Sequence, residues 1–192
     1  MAEVRLTRQA RREQLLDVAA DLLVESGGSG LTMEGLAARA GVTKGLPYVH
    51  FDNADAVIDA LHQREIGLLS DAVAAAYTRA HDPEERLRAC LHAYFGVIIE
   101  RGAVLSVLIT QSAWPARAGA ELEERRRFVA RLFRVDLGLP RVEAELAASI
   151  FLGALNGGVE ALALRQGARR VIEDRLVGLA LGFVEAARAR AR

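Results

Sequence analysis

The chain has 192 residues, with 25 basic and 25 acidic side chains and a lone cysteine, Cys90. That length suits one large or two small domains with a real buried core, and zero net charge excludes the broad positive field of a protein that coats nucleic acid. One cysteine excludes an internal disulfide framework and fits the reducing cytoplasm, while no secretory signal is read at the N-terminus and the longest uncharged stretches, residues 102–116 and 146–159, fall short of the roughly 20 apolar residues of a membrane span.

Along the chain, helical periodicity dominates and strand alternation is absent, which predicts an all-α fold of about nine helices. Arg5, Arg8, Arg11 and Arg12 crowd the entry of the first helix, where the helix dipole disfavours cations by about 0.3–1 kcal/mol each. A phosphate backbone alongside would offset that cost. Leu15, Ala19, Leu22 and Leu23 give this helix its core face, and Gly27 and Gly28 end it. Thr32 opens a short second helix on which Leu36, Ala37 and Ala40 share a face. Gly41 supplies the sharp reversal, because it takes positive φ without strain. Val42 plugs the gap, and Thr43 stands where it would cap a third helix whose outer positions are Lys44, Gly45, Tyr48, Val49 and His50. Two short helices joined by a glycine turn read as a DNA-binding helix-turn-helix.

The segment closes on Gly45, Tyr48, His50 and Phe51. This Gly-x-x-Tyr-x-His-Phe pattern resembles the DNA-binding segment of the TetR family of bacterial transcriptional regulators, and the resemblance covers residues 8–62. It implies a DNA-binding head over residues 1–53 and a ligand-binding and dimerisation body over 54–192. It further implies a homodimer on a palindromic double-stranded DNA operator, repression, and release when a small-molecule effector enters the C-terminal half. Tyr48 and His50 match positions that touch backbone phosphates in that family.

The residues add their own reading. Lys44 is the only lysine in the chain, and its place at the exposed start of the third helix points to a phosphate or a guanine. Arg8 and Arg12 are further phosphate candidates, as are the hydroxyls of Thr32 and Thr43. Gly45 and Val49 face base edges but are poor donors, so readout leans on thymine methyls and DNA shape. Pro47 stands where the family has an aliphatic residue. Its ring can fill the same socket, but it lacks an N–H and disfavours the α conformation at Leu46, which predicts a late helix start or a 3₁₀ turn. Ala54 replaces a family lysine, and Glu34 and Asp52 add negative charge, so a shallow salt dependence is expected.

Beyond the head, residues 53–80 read as one long helix with Val57, Leu61, Leu68, Leu69 and Val73 on one side. Asp82-Pro83-Glu84-Glu85 marks a helix start. Gly102, Trp114-Pro115, Gly138, Pro140 and Gly167 punctuate the remainder of the chain. Cys90 lies on the apolar stripe Leu87, Leu91, Tyr94, Ile98 and reads as packing, not as a redox sensor. Tyr94, Ile98, Leu108, Gln111, Trp114, Phe128 and Phe151 are candidates to line an apolar effector cavity with sparse polar anchors. Ile150, Ala154, Ala161, Leu162, Leu176, Leu179 and Phe183 are candidates for a four-helix dimer interface. No cofactor is implied. The pair His62 and Glu65 is too little for a metal site, and neither a catalytic constellation nor a phosphate loop is present, so no enzyme is expected. A rival reading is a protein-interaction adaptor that keeps the helix-turn-helix as a scaffold with weak or no specific DNA binding.

Overall fold

The structure, a computed structural model, describes residues 6–28, 30–109 and 114–190; the side chains at 109, 114–118, 120 and 121 lie outside the description. Among the described residues the chain is all helical: α1 (Arg8–Glu25), α2 (Met33–Arg39), a 3₁₀ turn (Pro47–Val49), α3 (Ala54–Arg79), α4 (Pro83–Ile109), α5 (Trp114–Arg131), a π turn (Leu132–Asp136), α6 (Arg141–Ala163) and α7 (Arg169–Arg190). The expected class is found, but with seven α-helices and two short turns where about nine helices were counted. Gly102 does not interrupt α4, since an isolated glycine in a long helix costs only about 1 kcal/mol. The segment after Thr43 is not an α-helix.

Helix starts follow local chemistry. The Thr7, Thr32, Asn53 and Asp82 side chains each accept backbone N–H bonds at the openings of α1, α2, α3 and α4, at 2.8–3.1 Å, satisfying donors that have no partner inside the helix. Gly41, at φ 66°, ends α2. The Val42 N–H donates to Ala37 O at 3.0 Å and Gly41 N–H to Ala38 O at 3.2 Å, the paired bonds of a Schellman closure.

The residues pack as two compact units, Met1–Leu68 with Arg101–Trp114, and Leu69–Glu100 with Pro115–Arg192. Val57 and Leu61 of α3 and Leu108 of α4 are buried in one core with Leu15, Leu16, Leu23, Leu36 and Phe51, and each such side chain contributes about 1.5–3 kcal/mol of apolar burial.

In the same unit Glu65 has no solvent exposure. Arg101 grips it twice, Nε donating to Oε2 at 2.6 Å and Nη2 to Oε1. Arg64 donates to Glu65 at 3.2 Å and to Asp17 of α1 at 2.8 Å. Burial pushes the Glu65 carboxyl up, but the Arg101 and Arg64 guanidiniums more than offset it, leaving the group below the usual carboxylate range.

The second unit is built on α6 and α7. Ala147, Ala148, Phe151, Leu152 and Leu155 meet Leu176, Val177, Ala180 and Val184 in a core shared with Tyr94, Phe95 and Phe133. At Gly158 a Cβ would stand 2.9 Å from Ile172 Cγ2 and 3.2 Å from Phe95 Cζ, so this glycine allows close approach of α6 to its neighbours. Cys90 is buried, its thiol donating to Val73 O at 3.8 Å and pushed up to about 11, mainly by burial; a neutral packed thiol fits the sequence reading. The helices at Pro83–Leu108 and Arg141–Ala163 are, by length and composition, long and apolar enough to cross a membrane. Counting uncharged stretches alone missed them because each helix also carries charges. Both place an apolar face in the cores just described.

Replacing Arg101 with leucine leaves the buried Glu65 charge without its principal partner. We expect a loss of about 3–5 kcal/mol in urea unfolding, and a variant as stable as the parent would remove this pair from the first unit's framework.

Candidate nucleic-acid interface

Pro47 determines how the tip of the first unit is built. With no N–H at 47 and α geometry disfavoured before it, the chain from Thr43 onward closes in short rings. Leu46 N–H donates to Thr43 O, Val49 N–H to Leu46 O and His50 N–H to Pro47 O, all at 3.0–3.1 Å. The bond found at Thr43 is thus to its carbonyl, and the expected α-helix it was to cap is replaced by a 3₁₀ turn, as the missing donor predicts. The Pro47 ring is fully buried and fills the apolar socket.

Around that anchor the outward residues stand in water. Thr32, Thr43, Lys44 and Gly45 are exposed, Tyr48 is 53% and Val49 59% exposed, and His50 is half-buried.

The cations of α1 sit beside this tip. Arg12 is half-buried, with its guanidinium 5.0 Å from the Phe51 ring centroid, a cation–π contact that fixes the group next to His50. Arg8 is exposed, and Arg11 donates to Gln14 Oε1 at 2.6 Å. Burial first, and then Arg8, Arg12 and Arg11, hold the His50 imidazole below its ordinary 6.5. The three arginines next to the imidazole, with Lys44 on the tip, thus concentrate positive charge in a chain of no net charge. On α2, Arg39 is paired with Glu25 at 2.5 Å and is not part of it. What the arrangement offers is phosphate binding, by guanidinium, ammonium, phenol and hydroxyl groups, around a small apolar tip. Among the described residues no group of three His, Cys, Asp or Glu could hold a metal ion.

The other expected sites are only partly assembled. Tyr94 and Phe151 are buried in the second unit's core, Ile98 packs against it, and Phe128 contacts Tyr77 edge-on at 5.7 Å. Leu108 does not join them, because α4 carries its last turns into the first unit's core. Gln111 and the Trp114 side chain lie outside the described residues.

Of the expected dimer residues, Ile150 and Leu179 are exposed and Ala154 and Ala161 half-buried. Leu176 is buried in its own unit's core, with Leu162 and Phe183 packed against it, so Leu176 faces inward. Val142, 77% exposed, Leu146, Leu164 and Val171 are further exposed apolar residues that the sequence reading did not name. Periodicity showed α6 to be apolar on most sides but not which side faces inward.

A family model described as bacterial regulatory proteins, tetR family, matches residues 15–61. The chain is 37% identical over 94 residues to the HTH-type transcriptional activator FasR of Mycolicibacterium smegmatis; this match covers 49% of the chain and 43% of that protein's length. It is 29% identical over 161 residues to the HTH-type transcriptional regulator BetI of Paraburkholderia phymatum, covering 78% of the chain and 80% of BetI. Among solved structures, a TetR-like transcriptional regulator from Rhodococcus sp. RHA1 superposes with a TM-score of 0.77 at 26% identity, over 92% of this chain and 97% of that one.

A phosphate beside His50 would raise its depressed pKa, so binding takes up a proton. Affinity for duplex DNA should therefore rise as pH is lowered from about 8 to about 5.5, and His50→Gln should lose that component in anisotropy titrations. Equal slopes for both proteins would remove His50 from the contact surface.

Proposed function

This chain belongs to the TetR family of bacterial regulatory proteins, which are transcription regulators and not enzymes, and from that premise we propose that it is a cytoplasmic, homodimeric repressor, released from a palindromic DNA operator by a small, mostly apolar effector. The observation that carries this reading is the tip at Lys44–His50, exposed, anchored by Pro47 and flanked by Arg8 and Arg12. Lys44, Tyr48, His50 and the two arginines take phosphates, with Thr32 and Thr43 supplying hydroxyls, while Gly45 and Val49 approach base edges.

Two heads are required for a palindrome. The surface that brings them together is the outer side of α6 and α7. There Val142, Leu146 and Ile150 follow one another at four-residue spacing, and Val171 and Leu179 are exposed on α7. On the same two helices Gly153, Gly157, Gly178 and Gly182 have nothing within 4 Å of a would-be Cβ, which leaves room for the helices of a second copy. The effector is assigned to the second unit on the strength of its aromatic side chains, Tyr94 and Phe151 in the core and Phe128 against Tyr77, whose makeup suits an uncharged, mostly apolar molecule.

The experiment is a footprint of the purified protein on the intergenic DNA flanking its own gene. A palindromic protected region is expected, weakened about tenfold or more by Lys44→Ala. No protection of that DNA would favour the adaptor reading, for which the shortened 3₁₀ tip is the supporting observation. A reporter carrying the protected region separates repression from the activation named for the Mycolicibacterium relative. Ile150→Arg should give monomers in light scattering and abolish the footprint; a dimeric variant would place the interface elsewhere.

A further inference from the structure

The second unit holds a concentration of positive charge that operator binding and an apolar effector leave unused. The end of α5, the π turn and the start of α6 surround a cleft of about 220 Å³ lined by Arg126, Arg127, Arg131, Arg134 and Arg141, with Glu145 and two alanines. Helical spacing places Arg127, Arg131 and Arg134 on successive turns with Arg126 next to Arg127, and Gly138 and Pro140 return the chain so that Arg141 meets them.

Carboxylates neutralise only part of this charge. Glu123 serves two guanidiniums at once, accepting from Arg126 at 2.9 Å and from Arg127 at 3.1 Å, and these two hold its carboxyl down to about 2. Arg141 pairs with Glu145 at 3.0 Å. Arg131 and Arg134 have no ion pair among the described residues. Five guanidiniums thus line one concavity in which Glu145 is the one lining carboxylate, with Glu123 pairing two of them from outside the lining. Such clustering is self-repulsive unless a counter-charge enters.

Size and donor geometry narrow the counter-charge. The volume lies below the roughly 300 Å³ of sites for drug-sized ligands, so the cleft takes a head group or a small ion. Guanidinium forks match phosphate oxygens in bidentate pairs, and each phosphate brings about −1.5 to −2 charge with three acceptors. We propose that this cleft binds a small multiply phosphorylated anion through a diphosphate group, gripped by Arg131 and Arg134 and enclosed by Arg126, Arg127 and Arg141. The site goes beyond the operator-binding reading and does not depend on it.

The test is calorimetric titration of the full chain with sodium pyrophosphate, with sodium citrate and sodium sulfate titrated at the same ionic strength. Saturable binding of pyrophosphate, tighter than citrate or sulfate, is expected. The Arg131→Ala, Arg134→Ala double variant should weaken it about tenfold or more, and Arg170→Ala, an exposed change outside the lining, should leave it unchanged. Circular dichroism establishes that the double variant is folded, and the paired lysine variant, keeping charge but losing the fork, should fall between. Pyrophosphate binding no tighter than citrate, or undiminished in the folded double variant, overturns the proposal. No operator DNA enters the titration, so failure here and failure of the footprint are separately visible.

Discussion

A carboxylate cut off from water sets the geometry of the first unit. Glu65 has no exposure, and an isolated charge in such a place costs several kcal/mol, so the surrounding chain must bring cations to it in good alignment. Arg101 arrives from α4 and Arg64 from α3, and Arg64 reaches on to Asp17 of α1. Buried pairs of this kind contribute little net stability against an apolar replacement but tolerate little displacement. Three helices are thereby held in one register, and α1 is the helix that carries Arg8 and Arg12. The position of the cations beside the tip is thus linked to a buried ion pair far along the sequence.

Much of the head was legible because its signals are local. Thr32, Asn53 and Asp82 cap helices in the structure as their side chains suggest, and Gly41 takes the positive φ that a reversal demands. Pro47 was legible for the same reason: a missing donor and a fixed ring act within four residues, and the 3₁₀ turn results. What failed was non-local. Nothing in the periodicity of residues 83–109 reveals that one uninterrupted helix leaves one core and enters another, so Leu108 was grouped with Tyr94 although they lie in different units. Leu176 and Leu179 share an apolar helix, yet one is buried and the other exposed; that distinction depends on the partner helix. The arginine cleft escaped notice because its members are ordinary surface residues until the π turn and the turn at Gly138 bring them around one volume.

The distribution of charge also explains how a neutral chain can present two positive sites. Several arginines on the described helices are matched by acids three or four residues away, as in Arg88 with Glu84 and Arg169 with Glu173. Such pairs contribute a few tenths of a kcal/mol each and mainly cancel the long-range field. Where cancellation is incomplete, at Arg8, Arg12 and Lys44 and again at Arg131 and Arg134, local potential survives and is confined to a short range by salt.

Lys44 gives the tip a chemical individuality. All other side-chain cations that are permanently charged are guanidiniums, which do not lose their proton and react poorly with acylating reagents. The ε-amine at this exposed turn is therefore the one side-chain amine in the sequence, and any amine-directed modification of a side chain lands there. A single acyl group would erase one charge from the tip while leaving the arginine cleft and every ion pair of the cores untouched, and the same selectivity makes the residue a ready attachment point for a spectroscopic label.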